Sequence, residues 1–222
     1  MLAIAPKIFS PFKNIIALQT TRQTSVESQL EKFGIAESNL ASAKQIHDNK
    51  VLVASVAGKA EGYDAIITNK KNVFVSVATA DCTPVLIYDS KTNSVAAIHA
   101  GWRGTVLNIV SETLVRMKKE FGSDGKNCFA FIGACIAECS FEVGAEVAEK
   151  FDSAFVRWDE EKKKHFVDLK KANKKQLLDF GIPEGQIEIS GDCTVLNNDN
   201  YFSYRKEMGK TGRMISLIGI TS

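Results

Sequence analysis

Histidine and cysteine, the residues that most often hold metals or carry nucleophilic chemistry, are scarce in this chain: three and five among 222 residues. Three imidazoles, none in a His-x-His pair, cannot build a multicopper centre, which needs many such ligands. Five cysteines is an odd number, so at least one thiol stays free or pairs between chains. No Cys-x-x-Cys occurs, and the nearest pair, Cys135 and Cys139, argues against a four-cysteine zinc site. Long apolar runs are missing too: nothing approaches the roughly 18 uninterrupted apolar residues of a membrane span. The apolar start from Met1 to Ala5 meets Pro6 and Lys7 too early for a signal-peptide core, with no basic residue ahead of it. Net charge is small, 28 Lys+Arg against 26 Asp+Glu for +2, and lacks the basic excess of a dedicated nucleic-acid binder. Repeats, low-complexity tracts and linkers rich in Pro, Gly or Ser are absent. These absences predict one soluble, cytoplasmic domain over residues 1–222 that engages neither nucleic acid nor membrane. In a reducing compartment each cysteine then defaults to a small buried hydrophobe.

What is present is an ordinary globular composition, 45% hydrophobic and 24% charged. A chain of this size buries about 70–75% of its unfolded surface and folds without a disulfide or metal. Thr24 with Glu27 reads as a capping box opening a helix that stops near Gly34. Residues 72–80 are β-branched and apolar, a buried strand. Residues 85–88 and 94–99 are two more strands, joined by the polar turn 89–93, with Pro84 interrupting the apolar run before them. The period then changes: Val106, Ile109, Val110, Thr113, Leu114 and Met117 predict an amphipathic helix over 105–120. Residues 51–53 and 128–132 are short strands, and 143–151 reads as helical. Asp168 is a candidate N-cap for a helix burying Leu169, Ala172, Leu177 and Phe180, ended by Gly181 with Pro183 beyond. Residues 186–190 and 213–219 complete the strands, and the charged run 160–164 is a solvated loop. Strands interleaved with helices predict an α/β or α+β domain, a mixed sheet flanked by helices.

Chemistry concentrates in two segments. Asp81 and Cys82 close a strong hydrophobic strand, and His99 ends the strand from Val95 to Ile98, followed by Ala100, Gly101, Trp102, Arg103 and Gly104. Functional groups commonly emerge at strand ends. If the two strands are neighbours, Cys82 and His99 can approach each other. His47, in the polar segment Lys44-Gln45-Ile46-His47-Asp48, could join them as a three-ligand zinc set with a fourth position open for water. Cys82 and His99 alone could instead form a thiolate–imidazole pair for nucleophilic catalysis. His165, beside three lysines, reads as solvated. Phe202 to Arg205 and Gly209 to Arg213 either line an anionic-substrate pocket or form a turn into the last strand. Gly209-Lys210-Thr211 is not a phosphate loop, because the earlier glycine at the required spacing is missing.

Taken together, Ala80-Asp81-Cys82 with Pro84, the His99-Ala100-Gly101-Trp102-Arg103-Gly104 element, Phe202-Ser203-Tyr204-Arg205 and Lys210-Thr211-Gly212-Arg213 resemble the YfiH-like, or laccase-domain (polyphenol-oxidase), proteins. Gln45-Ile46-His47, Thr20-Thr21-Arg22, and Ile132-Gly133 with Phe141-Glu142-Val143-Gly144 resemble further elements of that family, so the likeness covers nearly the whole chain. The resemblance implies one α/β domain similar to the catalytic domain of cytotoxic necrotizing factors. It implies zinc bound by His47, Cys82 and His99, with copper as a possible substitute. It also implies purine nucleoside chemistry: phosphorolysis of adenosine, inosine or methylthioadenosine to base and sugar 1-phosphate, with adenosine deamination alongside. The expected partners are therefore a small nucleoside and phosphate. His47, Cys82, His99 and Asp81 are the expected catalytic residues, Asp81 by orienting a histidine or water. Arg22, Gln45, Arg103, Arg205 and Arg213 are the expected substrate and phosphate residues. Two alternatives attach to the same family, a Cys–His hydrolase editing peptidoglycan precursors and a copper-dependent polyphenol oxidase. The chain departs from the family pattern at 23–27, Asp48, Ala134, Phe141 and Asp192.

Overall fold

A computed structural model describes residues 3–222; Met1 and Leu2 of the apolar start lie outside the described residues. From the N-terminus come β1 (Ile15–Gln19), helix α1 (Val26–Lys32), β2 (Leu40–Lys44), β3 (Val51–Val53), β4 (Gly58–Glu61), β5 (Ala65–Thr68) and β6 (Phe74–Thr79). Next are β7 (Thr83–Asp89), β8 (Ser94–Ala100), helices α2 (Trp102–Val106) and α3 (Ile109–Phe121), and β9 (Cys128–Ile132). The chain closes with β10 (Glu142–Val143), α4 (Ala145–Ala148), β11 (Val156–Asp159), β12 (Lys164–Val167), α5 (Leu169–Asp179), β13 (Ile187–Ile189) and β14 (Met214–Ile220).

Strand alternation decides the layering. In β7, Val85 and Ile87 join Ile67, Ala96 and Ile98 beneath Leu114 and Met117 of α3 and Leu177 of α5. Leu86 and Tyr88 turn the opposite way, against Val75, Val77 and Ile218. The six-stranded sheet β13-β9-β7-β8-β5-β3 is therefore covered on one face by helices and on the other by the five-stranded sheet β1-β14-β6-β2-β4. Helix α1 closes the outer face of that second sheet, packing Leu30 on Leu18, Phe74 and Leu217. Both faces of β7 and β8 are covered, and every residue of both strands is buried, which is why they read as near-continuous apolar runs. Parallel pairs (β13 with β9, β2 with β4 and β6, β3 with β5) sit among antiparallel ones, so both large sheets are mixed.

The mixed α/β architecture matches the expectation, but one sheet is replaced by two stacked sheets and a small third, β10-β12-β11. The predicted helix over 105–120 is two helices. Asn108 adopts a left-handed φ of +59° between them, and Gln176 of α5 fills the break. Its Nε2 donates to Thr105 O at 3.0 Å, and its Oε1 accepts from the N–H groups of Val110 and Ser111 at 3.2 Å each. One side chain thus caps the end of α2 and the start of α3. Ser25, not Thr24, caps α1, accepting from Ser28 N at 3.2 Å, while Thr24 Oγ1 accepts from Thr21 N. Pro84 lies inside β7 rather than interrupting it, one residue ahead of Val85, where pairing with β9 begins, so its missing N–H breaks no rung of that ladder. Only Ala145–Ala148 of 143–151 is helical.

Other expectations hold in place. Asp168 caps α5 by accepting from Lys171 N at 2.9 Å, and Gly181 follows it with φ +96°. The polar turn 89–93 joins β7 to β8 as an antiparallel hairpin, and the run 160–164 turns β11 into β12 in the open. Among the described residues no helix is long and apolar enough to cross a membrane.

Candidate active site

The chain passes from the five-stranded to the six-stranded sheet at one corner, through Ala80, Asp81 and Cys82 between β6 and β7. The reversal holds Asp81 at φ +84°, a left-handed conformation that a non-glycine keeps only where its surroundings fix it. They do so here. Asp81 Oδ1 accepts the Thr194 hydroxyl at 2.5 Å, and Oδ2 accepts the Arg205 backbone N–H at 2.7 Å. Cys82 is thereby left half-buried at the strand end, next to β8, where His99 stands opposite Pro84. His47 arrives from the loop after β2, itself at φ +62°.

One donor atom from each of His47, Cys82 and His99 falls within 4.8 Å of the others. Cys82 Sγ lies 3.9 Å from His47 Nε2, and the two imidazoles stand nearly perpendicular with centres 4.7 Å apart. His99 is buried, and its Nδ1 meets Asp64 Oδ1 at 2.8 Å. Burial pushes the Cys82 thiol up, but hydrogen bonds and charge from His47 and His99 outweigh it and bring it down to about 6. Burial likewise works against a charged His99, yet the Asp64 carboxylate and the Cys82 sulfur raise it to about 9. Asp64, although buried, is held below the usual carboxylate range by His99 and by backbone N–H donors.

These three residues could hold a metal ion. Thiolate and imidazole are the donors that zinc and similar ions take, and three protein ligands leave a coordination position open. Close packing supports the fit. A Cβ built at Gly101 would lie 3.0 Å from His47 Cδ2 and 3.1 Å from Cys82 Sγ, so only glycine leaves the donors undisturbed.

The donor set opens on a cavity of about 720 Å³. Trp102, Ile136, Phe141 and Leu169 supply apolar wall, and Arg103, Arg205 and Arg213 supply positive charge. Arg103 stacks over the Trp102 ring at 4.3 Å and pairs with no carboxylate among the described residues. Arg205 donates to the carbonyls of Ser140 and Glu142 and lies 5.7 Å over Phe141. Arg213 donates to the carbonyls of Thr211 and Gly212.

Most of the residues singled out from sequence converge on this cavity, but their placements differ in three respects. Arg22 does not line it: Glu207 pairs with its guanidinium, Asn198 O accepts from Nε at 3.0 Å, and the Phe202 ring lies beneath. Gln45 lines the cavity with its amide already committed, donating to Ala78 O and accepting from Ala78 N, both at 2.8 Å. Asp81 faces Thr194 and Arg205 rather than a histidine; the carboxylate on His99 is Asp64. Sequence reasoning missed Asp64, although a lone acid directly ahead of the apolar Ala65-Ile66-Ile67 was a usable signal. His165 stands apart on β12, half-buried against Trp158 with ring centres 4.7 Å apart. All five cysteines are free thiols, three of them buried.

Comparison with known proteins finds related sequences and folds. Residues 20–221 match the family model described as multi-copper polyphenol oxidoreductase laccase. Among curated relatives, a purine nucleoside phosphorylase of Bacteroides thetaiotaomicron is 48% identical over 72% of this chain and 61% of its own length. The chain thus spans about three fifths of that relative. The purine nucleoside phosphorylase YlmD of Bacillus subtilis is 34% identical over 80% of this chain and 69% of its own. Of solved structures, the hypothetical protein YfiH of Bacillus licheniformis superposes with a TM-score of 0.90 at 25% identity, covering 99% of this chain and 97% of that one. The Neisseria meningitidis protein NMB0706 superposes at 0.83 with 29% identity, covering 100% and 99%.

Proposed function

This chain belongs to the multi-copper polyphenol oxidoreductase laccase family, and we propose that it works there as a zinc-dependent purine nucleoside phosphorylase. In this reading adenosine, inosine or methylthioadenosine is split to base and sugar 1-phosphate, with adenosine deamination alongside. The observation that carries it is the convergence of His47, Cys82 and His99 with Arg103, Arg205 and Arg213 on one cavity. Relatives named purine nucleoside phosphorylase support the substrate class.

Phosphorolysis joins a phosphate oxygen to the sugar C1′ while the bond from C1′ to the purine nitrogen breaks and the base takes up a proton. Two demands follow, a held anion and a seat for a flat, largely apolar base. Arg103 meets the first best, because a guanidinium presents two parallel donors to phosphate and this one pairs with no carboxylate among the described residues. Trp102 and Phe141 offer aromatic faces for the second. Arg205 and Arg213, partly engaged with carbonyls, add positive potential beside that seat. His47, Cys82 and His99 would hold the zinc, with copper able to occupy the same donors. When bound, such an ion supplies Lewis acidity that polarises an oxygen or nitrogen of the substrate. Asp81 serves the site through the Arg205 backbone rather than by moving protons.

The alternatives fit less of the site. A Cys82–His99 hydrolase acting on cell-wall precursors would leave His47, 3.9 Å from the sulfur, without a role. Three histidines argue against a polyphenol oxidase with a multicopper centre, and such chemistry would have to draw on one copper in the His47–Cys82–His99 set. The test is release of hypoxanthine from inosine with and without phosphate, alongside metal analysis of protein purified without added metal. Phosphate-dependent release with stoichiometric zinc is expected. No base release under either condition would refute the reading.

A further inference from the structure

Asp64 has no exposed surface, and its carboxylate bonds two of the three donor residues. Its Oδ1 accepts from the His47 backbone N–H at 2.9 Å and from His99 Nδ1 at 2.8 Å. Its Oδ2 accepts from the N–H groups of Ile46 at 3.1 Å and Asp48 at 2.9 Å. A carboxylate offers about four acceptor sites, so this one is fully used. The backbone carbonyl of Asp64 also accepts the His99 N–H at 2.8 Å.

Three successive N–H groups converging on one anion form a backbone nest, which requires a left-handed residue to turn them to the same side. That residue is His47, at φ +62°. The strain at His47 is thus offset by hydrogen bonds to a buried charge, and the loop returns its imidazole towards Cys82. On the other side, the bond at Nδ1 fixes the His99 ring and turns Nε2 to the Cys82 sulfur.

We infer that Asp64 is the positioning residue of this site, holding His47 and His99 in their donor arrangement before any ion arrives. The inference deepens the functional reading above and rests on it for the identity of the ion. Asp64 is fully buried and does not line the cavity. It acts by gripping the turn of a surface loop at which His47 itself is exposed. Asp81, adjacent to Cys82 in sequence, has no such role, because its oxygens are spent on Thr194 and Arg205.

The test uses Asp64→Asn in the full chain. An amide has one acceptor oxygen and a donor NH₂, so one pair of donors, either the Ile46 and Asp48 N–H groups or the His47 N–H and His99 Nδ1, must lose its acceptor and face a donor instead. Zinc affinity, measured by competition with a chromogenic chelator, is expected to fall about 10–100-fold, and the visible spectrum of the cobalt(II)-loaded protein to change. Far-UV circular dichroism should stay native. A purely structural Asp64 would lower the melting temperature and leave zinc affinity and the cobalt spectrum of folded protein unchanged; that result overturns the inference. Hydrogen exchange at Ile46, His47 and Asp48 in chelator-treated wild type gives a second measurement without a variant. Protected amides are expected there, and exchange at unfolded-chain rates overturns it as well. A wild type that takes up neither zinc nor cobalt would defeat the functional reading, while the exchange data still decide whether the donors are preformed.

Discussion

Gly101→Ala adds one methyl group at the most crowded point of the site. Gly101 has φ −66° and ψ 168°, a backbone that any residue adopts, so the substitution brings no conformational penalty and the protein should fold. The new Cβ would arrive 3.0 Å from His47 Cδ2, 3.1 Å from Cys82 Sγ and 3.7 Å from His99 Cε1. Carbon contacts are optimal at about 3.5–4.0 Å, so the imidazole and the sulfur must each retreat by roughly half an ångström. Ligand distances in a metal site hold to about ±0.2 Å, which makes that retreat larger than the site tolerates. The expected cost is ten- to a hundredfold in zinc affinity, about 1.4–2.8 kcal/mol. Stability of the metal-stripped protein should change less, because alanine for glycine at an N-cap costs at most about 1 kcal/mol. Chelator competition, run beside thermal melting of chelated wild type and variant, separates the two quantities. Wild-type zinc affinity in folded Gly101→Ala would refute the reasoning that His47 and Cys82 bind one ion while packed on this glycine.

Further outcomes can be checked independently. Cys82→Ser should lose zinc and activity together, because a hydroxyl is a far poorer donor than a thiolate; full zinc occupancy in an inactive Cys82→Ser protein would rule out the ligand role. Arg103→Met should raise the KM for phosphate about 10–100-fold, as expected from losing a charged hydrogen-bond partner, with zinc content unchanged; an unaltered KM would make Arg103 a structural residue of its turn. In chelated protein Cys82, brought down to about 6, should react with iodoacetamide at a rate that is level above neutral pH and falls as pH drops through 6. Cys128 and Cys135, pushed up to about 12 by burial, should stay unmodified. A Cys82 rate that climbs steadily to pH 9 would contradict the hydrogen bonding described around it. Gln176→Ala should destabilise the fold by about 2–3 kcal/mol in urea unfolding, since a buried and a part-buried N–H group and a carbonyl lose their partner, without altering zinc affinity.

Local pattern made part of this protein legible from sequence alone. The β7–β8 hairpin, β9 and α5 were readable because their signals are contained within each element. The hairpin and β9 are apolar runs bounded by polar turns, and α5 carries its own cap at Asp168 and its own stop at Gly181. The strand ends at Cys82 and His99 made these two a candidate pair if their strands were neighbours, and the family resemblance, not spacing, added His47 to complete the donor set. Short strands such as β2 and β4 left no comparable trace. With Lys44, Gly58 and Lys59 among their few residues they have no apolar alternation, and they are strands only because β6 and each other supply hydrogen-bond partners.

The rest was decided by partners far away in the chain. Which carboxylate holds His99 could not follow from adjacency: Asp81 is nearer to Cys82 in sequence, yet its oxygens are drawn to Thr194 and Arg205, more than a hundred residues on. Asp64 takes the role because β5 pairs with β8 in a register that sets Ala65 opposite Ile98. Arg22 reads as an anion-binding residue until the fold brings Glu207, 185 residues later, onto its guanidinium. Composition and periodicity specify which faces are buried, because burial depends on the average polarity of a stretch. The partner of a particular polar atom depends on register and distance set by the whole packed chain, and only the tertiary structure contains those.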